Sequence, residues 1–133
     1  MKTVQPQGWA PARGYANGVV CEGGRTVYVA GQIGWDAAQQ FVSDDFVAQF
    51  EQALANVVAV VEAAGGDATH VVKMTVYVTD LDAYRNALRE VGAAWRRCLG
   101  KHFPAMALVG VAGLVEHRAK VEIEAIAHIP ETP

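Results

Sequence analysis

The residues best suited to chemistry in this chain are a carboxylate on an apolar run and a phenol near the N-terminus. Glu122 stands in Val121-Glu122-Ile123-Glu124-Ala125-Ile126-Ala127, and Tyr15 precedes the Val-rich segment that starts at Val19. A carboxylate within reach of a bound substrate can act as general base for water, and a phenol can donate a hydrogen bond to a substrate heteroatom. Each has a plainer use: Glu122 as ionic partner of Lys120 or of an arginine in another copy, Tyr15 as packing with its hydroxyl in solvent. His70, His102, His117 and His128 follow no metal-binding spacing, and Cys21 and Cys98 follow neither a metal nor a redox spacing, so no metal is expected. No glycine-rich phosphate loop of the G-x-G-x-x-G or G-x-x-x-x-G-K type occurs, and no cofactor is called for.

Composition narrows the class. The 133 residues fit one domain, taken as residues 1–133, because no composition shift or low-complexity stretch divides them. Apolar residues make up 52% and charged residues 19%, lean in charge for a small soluble surface, so self-association is expected to cover part of it. A formal charge of −3 without a basic cluster argues against nucleic acid as a partner. Met1 to Pro11 has no apolar core of the signal-peptide kind and no apolar run reaches membrane-spanning length, which makes a cytoplasmic, non-membrane protein the expectation.

The elements that must position these groups follow from periodicity. Tyr15–Glu22 and Arg25–Gln32 read as strands joined in a hairpin at Gly23-Gly24. From Phe46, apolar residues at Phe50, Ala53, Leu54, Val57, Val58 and Val61 predict a helix, with Ser43, Asp44 or Asp45 as cap and Gly65-Gly66 as terminator. Val72, Met74, Val76 and Val78 alternate with polar residues as a half-buried strand. A second helix is expected behind an Asp82 cap, its stripe being Tyr84, Leu88, Val91, Trp95 and Leu99. Ala105–Val111 and Ala119–Ile129 complete a β-β-α-β-α-β-β order, with a turn at Gly113–Arg118. Two helices cover only one sheet face, and on the last strand Lys120, Glu122, Glu124, Ile126 and His128 point away from it.

The segments Val27–Ile33, Val71–Leu81, Phe103-Pro104-Ala105-Met106 and Val121–Ala127 together resemble the Rid family, also called YjgF/YER057c/UK114, over nearly the whole chain. The resemblance implies an α+β, chorismate-mutase-like (bacillary type) fold with two helices on one sheet face. It also implies a homotrimer with small-molecule clefts at the subunit boundaries, and hydrolysis of imines or enamines without a cofactor. Carried over by position, it assigns Glu122 and Tyr15 to catalysis and Gly31, Gln32, Met106 and Leu108 to substrate binding. The family's reactive members read F-P-A-R where this chain reads F-P-A-M, and their arginine clamps the substrate carboxylate in a bidentate pair. Met106 cannot do this, and Leu108 makes the site more apolar still. A substrate carboxylate there would lose water without gaining a partner. Arg13, Arg118 and Lys120 are the cations considered as replacements.

Three functional readings remain open. One is a deaminase-type hydrolase with altered substrate preference; another is a metabolite-binding or sensing module. The third, an endoribonuclease or translation inhibitor, is disfavoured by the acidic balance of the chain.

Overall fold

The computed structural model describes residues 1–132. It runs β1 (Lys2–Val4), β2 (Gly18–Val20), β3 (Arg25–Gln32), α1 (Phe46–Ala63), a 3-10 turn at Ala68–His70, β4 (Val71–Val78), α2 (Leu81–Arg85), α3 (Leu88–Leu99), β5 (Ala105–Gly110) and β6 (Val121–Ile129). β3, β6, β4 and β5 form one sheet in that order, antiparallel except for the parallel pair β4–β5. α1 and α3 pack against each other, and α1 lies on β3 and β6. The α+β class and the helices on one sheet face are as the resemblance implies.

α1 starts where Asp45 accepts a hydrogen bond from the Ala48 N–H at 3.0 Å. Its stripe of Phe46, Phe50, Ala53, Leu54, Val57 and Val61 is buried. Gly65 takes φ +95° just beyond the helix end. Contrary to the expectation that no apolar run reaches membrane-spanning length, α1, with 18 residues of mean hydropathy 1.2, is long and apolar enough by length and composition, yet its apolar stripe is the floor of the core. Gln49, fully buried on the same helix, donates to the carbonyls of Ser43 and Arg118 and accepts from the Lys120 N–H, all at 2.9–3.0 Å. It pins the 111–120 connection to the helix. A Cβ at Gly34 would lie 2.6 Å from Gln49 Cβ, so only glycine allows that approach.

Three expectations need correction. Gly23 and Gly24 do take positive φ, but β2 pairs with β1, not with β3. β3 instead pairs with the distant β6, and the three-residue β1 is too short to leave a periodic signal. The second helix breaks at Asn86-Ala87 into α2 and α3. α2 is capped by Asp80, which accepts from the Asp82 and Ala83 N–H groups, in place of the expected Asp82. The break leaves Leu88 exposed, while Val91, Ala94, Trp95 and Leu99 carry the buried face. The 111–120 segment, finally, is a crossover and no hairpin turn, because β4 lies between β5 and β6.

Candidate functional site

Strand register decides which candidates share a face. On β4, Met74, Val76 and Val78 are fully buried beneath the helices. Met106 and Leu108 pair with Met74 and Val76, so they face the helix layer too. Glu122 pairs with Tyr77, whose side chain points to the uncovered face. Within one protomer Glu122 and Met106 therefore lie on opposite sides of the sheet, two strands apart. The sequence signature places both in one cleft; a single chain does not bring them together.

On the uncovered side, Gly31 and Gln32 are the last residues of β3, where the register with β6 slips between Val29 and Gln32. A Cβ at Gly31 would stand 2.8 Å from Glu122 Cδ, so the absence of a side chain there is what lets the Glu122 carboxylate lie across the strand. Gln32 Nε2 donates to the Ala30 carbonyl at 3.1 Å. Beside them the Tyr77 hydroxyl donates to Glu124, and this hydrogen bond, followed by burial and the charge of Glu124, holds the phenol above its ordinary pKa. Glu122 forms no ion pair with Lys120 among the described residues.

On the helix side, Met106 and Leu108 line an apolar pocket of about 170 Å³ with Gly14, Phe50, Tyr84, Leu88, Val91, Trp95 and Phe103. The Trp95 and Phe103 rings stack at 5.9 Å, and Trp95 Nε1 donates to the His102 carbonyl at 3.0 Å. Tyr15 lies close by, because Ala16 bridges to Ala105 at the free edge of β5 and donates to the Pro104 carbonyl at 2.9 Å. Tyr15 itself is exposed and lines an open groove of about 480 Å³ with Trp9, Lys101, His102 and Phe103. The two hollows share Phe103. Tyr15, Met106 and Leu108 thus gather at one edge, and Gly31, Gln32 and Glu122 gather elsewhere.

The cations weighed as replacements are placed unequally. Arg118 donates to Asp44 at 3.0 Å and covers the Phe41 ring at 5.0 Å, and with Lys120 it lines a separate hollow around the 111–120 crossover. Arg13 is exposed one residue before Gly14. The cation that does line the Met106 pocket is Arg96, on α3. Nothing in the sequence marks it, because an arginine on the polar side of a helix is usually solvated and only the tertiary packing places it beside Met106. Cys98, half-buried under Glu51, has its thiol pushed up mainly by burial, the opposite of what a nucleophilic thiol needs. Among the described residues no group of histidine, cysteine and carboxylate side chains could hold a metal ion.

Comparison with known proteins adds family evidence. Residues 6–129 match the family model described as Endoribonuclease L-PSP. The chain is similar to a 2-iminobutanoate/2-iminopropanoate deaminase of Salmonella typhimurium, 40% identical over 130 residues that cover 95% of this chain and 96% of that one. It superposes with TM-score 0.81 and 28% identity on a Yersinia pestis structure described as YyfB of the conserved Rid protein family, covering 96% of this chain and 98% of that one. It also matches the crystal structure of E. coli TdcF with bound serine at TM-score 0.67 and 32% identity, covering 97% of this chain and 99% of that one.

Proposed function

The chain belongs to the Rid family (YjgF/YER057c/UK114), and from that premise we propose that it is a cofactor-free hydrolase of C=N or enamine bonds. Relatives named as imine deaminases support this deaminase-type chemistry. In the reaction, water adds across C=N to give a carbinolamine, which releases ammonia and leaves a carbonyl. Glu122 takes the proton of the attacking water and returns it to the departing nitrogen. Tyr15 donates a hydrogen bond to the bound substrate, and Met106 and Leu108 hold its apolar part.

The observation that carries the proposal is the split between the two groups of residues. Glu122 and Met106 are on opposite sheet faces of one protomer, so a substrate touching both needs two copies, the β3–β6 bulge of one against the β5 edge of its neighbour. A homotrimer, the assembly the family resemblance implies, supplies such boundaries. The substrate is accordingly a small metabolite whose contact with position 106 is apolar, a preference different from that of a site with arginine there.

Imines released by an amino-acid oxidase from alanine and from leucine, followed by their decay, test the hydrolase. Wild type is expected to accelerate decay, and Met106→Arg is expected to act faster than wild type on the alanine-derived imine. Equal rates for the two proteins on that imine would refute the role given to position 106. The pocket's apolar walls also favour a second reading, a binding module. Ligand-induced stabilisation with no turnover of any imine would select it.

A further inference from the structure

Among the described residues Arg13, Arg89 and Arg96 form no ion pair, and of these three only Arg96 lines a pocket. Arg85, Arg97 and Arg118 each meet a carboxylate, and Arg25 donates to the Ala64 carbonyl. Arg96 forms no ion pair among the described residues and lines the pocket of Met106 and Leu108. Leu88, Gly92 and Arg96 follow at four-residue steps and so form one ridge of α3. The Arg96 guanidinium lies back over Gly92, with one nitrogen 3.7 Å from where a Cβ would be, an ordinary contact distance. Arg97, one residue on and about 100° around the helix, turns to α1 and takes Glu51 in a bidentate pair at 2.6 and 2.9 Å. Two adjacent cations thus have different tasks, one structural and one facing an apolar hollow.

We propose that Arg96 is the anion-binding residue of this pocket, and that the pocket takes carboxylates bearing a branched or aromatic apolar side chain. The carboxylate is held at the mouth by Arg96, and the side chain enters between Met106, Leu108, Val91 and Trp95. This deepens the hydrolase reading and rests on its assignment of the Met106 pocket to substrate. The arrangement resolves the difficulty posed by the thioether. A carboxylate against Met106 would be stripped of water with no partner, whereas one at the exposed guanidinium keeps part of its hydration and gains charge-assisted hydrogen bonds. The space beside Met106 then belongs to hydrocarbon, which a cavity of about 170 Å³ accommodates as a single side chain. In a 2-imino acid the reacting carbon is bonded to the carboxylate, so it stays at the mouth, where a neighbouring copy's carboxylate can approach.

Calorimetric binding of 4-methyl-2-oxopentanoate, its primary amide and pyruvate to wild type, Arg96→Gln and Arg96→Lys tests the proposal without requiring turnover. Wild type is expected to bind the branched acid more tightly than pyruvate and at least about tenfold more tightly than the amide, with a similar loss of acid affinity in Arg96→Gln and partial recovery in Arg96→Lys. Equal binding of acid and amide by wild type, no binding of the acid, or unchanged affinity in Arg96→Gln would overturn it. The wild-type comparison of acid with amide decides even if a variant folds poorly. Binding as expected without imine turnover would leave this inference standing and remove the hydrolase. Turnover of the leucine-derived imine with the same KM in wild type and Arg96→Gln would do the reverse.

Discussion

Glu122 owes its position to a residue that has no side chain. The carboxylate crosses Gly31 at a distance that any Cβ would obstruct, so the Gly-Gln step of β3 and the glutamate of β6 act as one unit although ninety-one positions separate them in the chain. If that unit directs water, Glu122→Gln is expected to lower imine hydrolysis by about a hundredfold or more, the range for a lost general base, with no change in melting temperature. An unchanged rate would remove the carboxylate from the mechanism. At position 106 the expectation has the opposite sign: adding a guanidinium raises turnover of small carboxylate-bearing imines, read as kcat/KM in the same decay assay. Neither effect depends on the core, because neither side chain belongs to its fully buried set.

Among the elements, α1 holds the molecule together through polar as well as apolar contacts. Gln49→Leu preserves most of the side-chain volume but strands the Ser43 and Arg118 carbonyls and the Lys120 N–H. A loss of about 3 kcal/mol in denaturant-derived stability is expected, together with faster amide exchange in the 111–120 crossover. The link from α1 to α3 through Glu51 and Arg97 is weaker. Its hydrogen bond from Arg97 lowers the Glu51 pKa from the ordinary 4.5, so the stabilisation is complete above that value and disappears as pH falls through the lower value of the folded state. Both side chains are well solvated, which limits the contribution to about 0.5 kcal/mol. Glu51→Gln should therefore cost about that much at pH 7 and nothing at pH 2.5, as urea melts at the two pH values will report.

At the scale of the whole molecule, the sheet is covered on one side only. Tyr28, 78% exposed, shares the other side with Lys73, Thr75, Glu124 and Ile126 around a hollow of about 240 Å³. Exposed aromatic and aliphatic side chains mixed with a few charges are the composition of a protein–protein contact. If copies meet there, light scattering on wild type should give three times the chain mass, and Ile126→Glu should reduce it to one and abolish turnover together. A wild-type monomer that hydrolyses imines would contradict the two-copy site.

Periodicity alone determined α1, the burial of alternate residues on β4 and β6, and the outward direction of Glu122, because those properties depend on neighbours a few positions away; which of Ser43, Asp44 and Asp45 caps α1 was settled by the structure, where Asp45 accepts from the Ala48 N–H. The F-P-A-M and V-E-I-E runs likewise carried the family. What the sequence by itself could not decide was how one strand's alternation relates to another's: parity along β5 and along β6 is legible separately, but only the register through β4 shows that Met106 and Glu122 face opposite ways. The pairing of β2 with β1, the break before α3 and the exposure of Arg96 to the pocket are of the same kind. They depend on contacts between segments distant in the chain, where the packing of a whole face outweighs local preference.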